Sequence, residues 1–183
     1  MNVLPTRIGG VVVVDTESFH DRRGTFTRLY CARELSSVIG RRQIVQVNHS
    51  RTVAVGAVRG LHFQHPPHAD MKLVRCLKGR VLDVAVDLRA RSPTFLQWHG
   101  EELAAANARM LVLPEGCAHG FQALEEDSEI LYLHTDFHVP ALDDGVRFDD
   151  PRLAIAWPLP ATCVSDRDRG LPLLAENFGG LLA

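Results

Sequence analysis

Apolar and polar residues alternate along much of the chain, in short runs that turn residues separate. In positions 81–89 every even position is apolar, whereas the odd positions include two aspartates. In positions 130–136 two leucines take odd positions, whereas Tyr132 and His134 take even ones. Because a β-strand places alternate side chains on opposite faces, both runs predict strands with one apolar and one polar face.

Other apolar runs also predict strands, and helical patterns are few. The runs at 11–14, 94–99 and 110–113 are bounded by Gly or Pro, which are typical of strand ends. Two stretches, 31–39 and 171–178, predict short peripheral helices. Many short strands with regular turns indicate an all-β sandwich or barrel. No linker or repeat divides the chain, so one domain over all 183 residues is expected.

Charge and cysteine content narrow the classes of function. The formal net charge is −2, so no basic surface for nucleic acid is expected. No apolar run approaches the roughly 20 residues of a membrane span, and no secretory leader is visible, which predicts a cytoplasmic protein without a membrane partner. The four cysteines form no C-x-x-C pair, which disfavours a zinc knuckle or redox dithiol. Cys76 and Cys117 lie in apolar runs and are interpreted as buried thiols.

Chemically active side chains lie on the predicted strands. In the segment RGLHFQ at 59–64, alternation sends Leu61 and Phe63 to the packed side and His62 to the other. Lys72 follows ten residues after His62. A base and a cation on one wall of a β cavity indicate proton-transfer chemistry. The polar face of a strand is more often simply exposed to solvent. That interpretation is less convincing here, because the polar faces of several predicted strands together carry His, Lys, Tyr and Asp.

A metal site is one alternative. The pattern P-x-G-x-x-H at 114–119 is the second half of the cupin jelly-roll signature, which in metal-binding cupins follows an H-x-H pair and a glutamate. Here His62, His65 and His68 lie at a spacing of three, which places His62 and His65 on opposite faces of a strand. Lys72 occupies the place of the acidic ligand, and a protonated lysine repels a divalent cation. A metal-dependent cupin oxygenase or isomerase is therefore disfavoured.

Motifs along most of the chain resemble the dTDP-4-dehydrorhamnose 3,5-epimerase family of the cupin superfamily, from about residue 12 to residue 168. The motifs are RGLHFQ at 59–64, PP at 66–67, KLV at 72–74, DVAVDLR at 83–89, SPT at 92–94, PEGCAHGF at 114–121, DP at 150–151, WPL at 157–159 and S-x-x-D at 165–168. The resemblance implies a cupin-type jelly roll, a double-stranded β-helix or sandwich, with a few short peripheral helices. It also implies a homodimer that needs no metal and no cofactor.

The activity that the resemblance implies is epimerisation of a nucleotide-linked 4-keto-6-deoxyhexose, with a dTDP-sugar as substrate. Such an enzyme inverts C3 and C5 by removing a proton next to the ketone and returning one from the opposite face. His62 matches the base of the family, and Asp168 matches the carboxylate that orients it. Lys72 matches the cation beside the C4 oxygen, and Tyr132 matches the acid that returns the proton.

The resemblance also assigns residues to substrate binding, and there the chain departs from the family pattern. The residues at matching positions are Arg23, Phe26, Gln46, Asn48, Arg59, Asp83, His119 and His138. Family members commonly carry Glu at the position of Arg28 and Tyr at the position of His138. An arginine cannot accept a hydrogen bond from the thymine N–H, which predicts a shifted choice of nucleotide or sugar. An enzyme that inverts a single centre and a non-catalytic sugar-nucleotide-binding module remain alternatives.

Overall fold

The computed structural model describes residues 1–182, and β-strands dominate it. The strands are β1 (Asn2–Pro5), β2 (Val12–Asp15), β3 (Ser18–Asp21), β4 (Gly24–Thr27), β5 (Gln46–Thr52), β6 (Val58–Gln64), β7 (Lys72–Lys78), β8 (Arg80–Asp87), β9 (Trp98–Ala104), β10 (Met110–Leu113), β11 (Cys117–Ala123), β12 (Ser128–His134) and β13 (Asp143–Gly145). The helices are α1 (Ser36–Ile39) and α2 (Asp166–Arg169). Neither helix of this described range is long and apolar enough to cross a membrane.

Two antiparallel sheets form the body of the molecule. One has six strands in the order β1-β2-β10-β7-β12-β5, and the other has five in the order β13-β6-β11-β8-β9. Neighbouring strands such as β7 and β12 are distant in sequence, as in a jelly roll. Strands β3 and β4 form a separate hairpin that pairs with neither sheet. The predicted all-β, cupin-type jelly roll is confirmed.

Alternation along the strands decides which side chains fill the space between the sheets. Val74 and Cys76 of β7, Val81 and Ala85 of β8 and Phe121 of β11 point inward and join one buried cluster. The same inward rows continue into polar side chains that line a cavity. The space between the sheets therefore has a packed apolar end and an open polar end.

The outward faces of both sheets are covered by other parts of the chain. Leu35, just before α1, and Ile39, at its end, pack on Leu73 of the six-stranded sheet. Leu153 from the C-terminal part packs in the cluster that contains Leu61 of the five-stranded sheet. Burying each such side chain contributes on the order of 2 kcal/mol. Both sheets are held from outside, which fixes the side chains on their inner faces.

The predicted strand at 94–99 is wrong, because most of that stretch is a turn. The Thr94 hydroxyl donates to the Asp87 carboxylate at 2.7 Å. Leu96 has a φ of 63°, which lies outside the strand region. Strand β9 begins only at Trp98, where its ladder with β8 starts.

The helix predictions are only partly right. Of the stretch 31–39, only α1 is helical, and the helix predicted at 171–178 is wrong. Pro172 has no N–H to offer a helix. The N–H of Leu174 donates to the Asp150 carboxylate at 2.6 Å, so a tertiary hydrogen bond replaces a helical one.

All four cysteines are free thiols, and the two predicted to be buried are buried. Burial raises the pKa of the Cys76 thiol to about 11 and that of the Cys117 thiol to about 12. A thiol with so high a pKa is a poor nucleophile at neutral pH. Both side chains therefore contribute packing rather than chemistry.

Candidate active site

A cavity of about 690 Å³ opens at the polar end of the space between the sheets. Strands β5, β7 and β12 supply one wall, and β6 and β11 supply the opposite wall, with α2 beside them. The four residues predicted to be catalytic all line this cavity: His62, Lys72, Tyr132 and Asp168. A cavity of this size suits a small-molecule ligand.

His62 and Asp168 form a hydrogen-bonded pair on one side of the cavity. Nε2 of His62 lies 2.7 Å from Oδ1 of Asp168. An ionised carboxylate only accepts hydrogen bonds, so Nε2 carries the proton and Nδ1 keeps its lone pair. An imidazole held in this tautomer can act as a general base through Nδ1.

Asp168 is held by the backbone and by the cap of its own helix. Its Oδ2 accepts a hydrogen bond from the Gly60 N–H at 3.0 Å, and its own N–H donates to the hydroxyl of Ser165 at 3.1 Å. Burial opposes ionisation of Asp168, but the hydrogen bonds from His62 and Gly60 outweigh burial and lower its pKa. The charged run 166–169, which alone would indicate a solvated turn, instead forms a short helix with Asp168 buried. Asp168 therefore remains an anion beside His62.

The ammonium of Lys72 projects into the cavity beside His62. Its Nζ lies 3.4 Å from the backbone carbonyl oxygen of His62 and 3.7 Å from Oδ1 of Asp70. Only 12% of the side chain is exposed, so its charge acts in a medium of lower effective dielectric constant than water. A cation in this place can stabilise negative charge on a ligand oxygen.

Tyr132 presents its phenol to the cavity from the wall opposite His62. Its hydroxyl lies 3.1 Å from the Ser50 hydroxyl, and its ring meets His119 edge-on with the centroids 6.0 Å apart. Burial raises the pKa of the Tyr132 phenol, although the hydrogen bond with Ser50 opposes the shift. The phenol is therefore protonated at neutral pH and can donate a proton.

His119 and Asp83 form a second carboxylate–imidazole pair, deeper between the sheets. Nε2 of His119 lies 2.7 Å from Oδ1 of Asp83, and both residues are buried. Burial raises the pKa of Asp83, although the charge of His119 opposes the shift. His119 lines the cavity, and its ring contacts that of Tyr132. Asp83, also predicted to bind substrate, is fully buried and is not among the described residues that line the cavity.

With His119, five of the predicted substrate-binding residues line the same cavity; the other four are Gln46, Asn48, Arg59 and His138. The backbone N–H of His138 donates to Oε1 of Gln46 at 3.1 Å. The guanidinium of Arg59 donates to the Thr52 hydroxyl at 3.0 Å. The edge strand β5 thus adds the amide groups of Gln46 and Asn48 beside the catalytic set, and β6 adds the guanidinium of Arg59, as a polar ligand requires.

Arg23 and Phe26 do not reach this cavity within one chain. They lie on the β3–β4 hairpin, around a separate surface hollow. Arg23 forms an ion pair with Asp21 at 2.6 Å and is 84% exposed. Arg28, which departs from the family pattern, follows the hairpin and forms an ion pair with Glu34.

Two cavity residues, Asp70 and His134, were not identified as site residues from the sequence. Both line the cavity, and Nδ1 of His134 lies 2.7 Å from Oδ2 of Asp70. Alternation gives a signal for each, because His134 shares the polar face of Tyr132 and Asp70 lies two residues before Lys72. Their pairing depends on the alignment of β7 with β12, for which no local pattern exists.

The histidine spacing that suggested a metal site places only His62 in the cavity. Nε2 of His65 lies 2.8 Å from the carboxylate of Asp144. Nδ1 of His68 lies 3.3 Å from the carboxylate of Asp136. Within the described residues, the three histidines therefore point to three different places.

The family model and two relatives that match this chain are all described as epimerases of dTDP-4-dehydrorhamnose. Residues 5–176 match the family model described as dTDP-4-dehydrorhamnose 3,5-epimerase. The chain is 41% identical over 169 residues to the dTDP-4-dehydrorhamnose 3,5-epimerase of Shigella flexneri, which covers 92% of this chain and 93% of that protein. It is 40% identical over 184 aligned positions to the dTDP-4-dehydrorhamnose 3-epimerase of Streptomyces niveus, covering 100% of this chain and 88% of that protein.

A solved structure extends the similarity to the whole fold. The crystal structure of dTDP-6-deoxy-D-glucose-3,5-epimerase from Legionella pneumophila Philadelphia 1, in complex with dTDP-4-keto-L-rhamnose, superposes with a TM-score of 0.92. The two sequences are 35% identical, and the match covers 100% of this chain and 98% of that one. The comparisons favour neither the metal-dependent cupin nor the non-catalytic binding module. The chain therefore belongs to the dTDP-4-dehydrorhamnose 3,5-epimerase family and is, as its motifs predict, an enzyme of the isomerase class.

Proposed function

We propose that the protein inverts C3, C5 or both centres of a dTDP-linked 4-keto-6-deoxyhexose through an enolate. The observation that carries this proposal is the His62–Asp168 pair, which faces Tyr132 across a cavity that also holds Lys72. His62 belongs to the five-stranded sheet and Tyr132 to the six-stranded sheet. A base and an acid on opposite walls can take a proton from one face of a carbon and return one to the other.

His62 is the base in the first step. A C–H bond next to a ketone is only weakly acidic, so the base must be positioned and the enolate must be stabilised. Nδ1 of His62 accepts the proton, and the Asp168 carboxylate stabilises the imidazolium that forms. The Lys72 ammonium stabilises the negative charge on the C4 oxygen, a contribution on the order of 3 kcal/mol for one such donor.

Tyr132 is the acid in the second step. Its phenol transfers a proton to the same carbon from the face opposite His62, so the configuration inverts. The resulting phenolate accepts a hydrogen bond from Ser50, whose oxygen lies 3.1 Å away. Proton exchange with water then restores the phenol and the neutral imidazole, which leaves no net change in the enzyme.

Proton NMR of dTDP-4-keto-6-deoxyglucose in D2O with the purified protein tests this function. We expect the H3 signal, the H5 signal or both to disappear, because each reacting carbon takes up deuterium from the solvent. Loss of both identifies a dual epimerase, and loss of one identifies a single-centre enzyme; relatives of both descriptions are 40–41% identical to this chain. If the folded protein exchanges neither hydrogen beyond the protein-free rate, the proposal is refuted.

A homodimer accounts for the hairpin residues that the cavity of a single chain lacks. Phe26 is 68% exposed and Phe19 64% exposed, and neighbouring exposed aromatics are typical of an interaction surface. The family motifs assign Arg23 and Phe26 to the nucleotide, yet neither reaches the cavity of its own chain. We therefore propose that the protein is a homodimer in which the hairpin of each chain completes the cavity of the other. Two-fold symmetry gives both cavities the same contacts.

Mixing two inactive variants tests whether the hairpin acts on the partner. One variant carries Arg23→Ala with Phe26→Ala, and the other carries His62→Asn. In a mixed dimer one site has an intact base and receives an intact hairpin, so random mixing should restore about one quarter of the wild-type rate. If the hairpin serves its own chain, mixing restores nothing. Each variant alone, carried through the same dissociation and reassociation, is the control.

We propose the cytoplasm as the location of the protein. Its four cysteines are all free thiols, and unpaired thiols persist in a reducing compartment.

A sugar nucleotide carries a diphosphate, for which Arg23 and Arg59 are the proposed contacts, because guanidinium groups bind phosphate oxygens in a bidentate manner.

A further inference from the structure

A third carboxylate–imidazole pair, Asp70 with His134, lies in the cavity wall next to Lys72. The catalytic scheme above uses neither residue. Strands β7 and β12 are hydrogen-bonded neighbours, and their alignment sets His134 directly opposite Lys72. Asp70, just before β7, lies within reach of both.

Asp70 is a buried anion with two partners. Only 2% of its side chain is exposed; Oδ2 lies 2.7 Å from Nδ1 of His134, and Oδ1 lies 3.7 Å from Nζ of Lys72. Burial opposes ionisation, but the hydrogen bond from His134 and the charge of Lys72 outweigh burial and lower the pKa of Asp70. A carboxylate buried to this degree needs such partners to remain charged.

His134 is fixed on three sides. Its Nδ1 donates to Asp70, which leaves Nε2 as the acceptor for the Asn48 amide at 3.3 Å. Its ring stacks on Tyr132 with the centroids 6.2 Å apart and an angle of 22° between the planes. A continuous row of polar contacts therefore runs from Lys72 through Asp70 and His134 to Asn48.

The distances around Lys72 indicate that Asp70 holds the ammonium without occupying its donors. A charge-assisted hydrogen bond between ammonium and carboxylate is about 2.8 Å long, whereas this pair is separated by 3.7 Å. The His62 carbonyl, at 3.4 Å, takes one N–H. An ammonium has three donors, so N–H groups remain for a ligand oxygen while the flexible lysine stem is held in place.

We propose that Asp70 and His134 are positioning residues for the catalytic cation: Asp70 holds the Lys72 ammonium in the cavity, and His134 holds Asp70. The inference rests on the proposed function, because it concerns the cation that stabilises the enolate. Displacement of a catalytic group by about 1 Å can cost on the order of 100-fold in rate. Loss of either positioning residue should therefore slow enolate formation more than it weakens nucleotide binding.

Four variants test the proposal through the rate of H3 or H5 exchange in D2O at saturating substrate, measured beside the Kd for dTDP. Asp70→Asn keeps the shape but removes the charge, and we expect exchange to fall by about 10- to 100-fold with Kd within about threefold. The exchange rate of His134→Leu should fall by a similar factor. The exchange rate of His134→Gln should lie within about threefold of the wild-type rate, because the glutamine amide can donate a hydrogen bond to Asp70 and accept one from Asn48. His65→Leu, from a pair outside the cavity, should match wild type.

The outcomes separate this inference from the proposed function. If the wild-type protein exchanges hydrogen and both Asp70→Asn and His134→Leu do so at the same rate, the positioning role is overturned while the proposed function stands. Equal losses in rate and dTDP affinity would also overturn it, since the pair would then build the nucleotide site. No exchange by wild type would refute the proposed function itself. If Asp70→Asn fails to fold, the contrast between His134→Leu and His134→Gln decides, and equal rates in these two count against the proposal.

Discussion

Replacing His62 by asparagine is expected to reduce hydrogen exchange and turnover by about 1,000-fold or more, because the cavity then lacks its base. Asparagine fills similar space and can donate its amide N–H to Asp168, so the wall should keep its form. No side chain of that wall then offers a basic nitrogen at the position of Nδ1. The rate constant for loss of the H3 or H5 signal in D2O measures the effect.

The affinity for dTDP distinguishes loss of the base from loss of the site. We expect the Kd of His62→Asn for dTDP to stay within about threefold of wild type, because His62 is not among the residues proposed to contact the nucleotide. His65→Asn, at a neighbouring histidine outside the cavity, is the matched control and should keep full activity. Exchange by His62→Asn at more than a tenth of the wild-type rate would mean that another group is the base.

Much of the cavity wall could be predicted from alternation alone. The pattern of β12 placed Tyr132 and His134 on one face, and that face lines the cavity. The pattern of β6 separated His62 from Leu61 and Phe63, which pack in the cluster on the other side. A period of two specifies the face of each side chain once the strand is identified. Alternation does not say which strand faces meet across the cavity, because that depends on the order of the strands in the sheets. The resemblance to a known family supplied this information.

Contacts between distant segments could not be predicted in this way. Asp168 lies in a charged run that indicates solvent, yet it is buried against His62, 106 residues away. Its burial depends on how α2 docks beside β6, and charge pattern says nothing about docking. Asp70 and His134, 64 residues apart in the chain, likewise meet only because β7 and β12 are aligned side by side. Local patterns specify faces, whereas such pairs follow from long-range register.

For the β3–β4 hairpin, the sequence predicted a role that the structure of one chain does not show. Arg23 and Phe26 match nucleotide-binding positions, but their own cavity lacks them. The expected shift in nucleotide choice concerns the same region, since Arg28 directly follows the hairpin and forms an ion pair with Glu34. That prediction stands, and relative affinities for dTDP, UDP, GDP and CDP would measure it.

Tyr132→Phe should separate the two proton transfers. His62 and Lys72 remain, so proton removal should continue and the substrate should still exchange hydrogen for deuterium. The phenol, which burial keeps protonated by raising its pKa, is lost, so no acid remains on the opposite face. We expect inversion to slow by about 100-fold or more, since general acid catalysis contributes about 10²- to 10⁴-fold. Deuterium uptake with retained configuration, followed by NMR, is the specific signature.

A change at Ser50 provides the control for this interpretation. Ser50→Ala removes the hydrogen-bond partner of the phenol but keeps the acid, so inversion should persist at a rate reduced by about tenfold or less, as the loss of one net hydrogen bond implies. If Tyr132→Phe inverts as fast as it exchanges, the returning proton comes from another donor. If it neither exchanges nor inverts while binding dTDP normally, the phenol takes part in proton removal, and the assignment of base and acid to opposite walls fails.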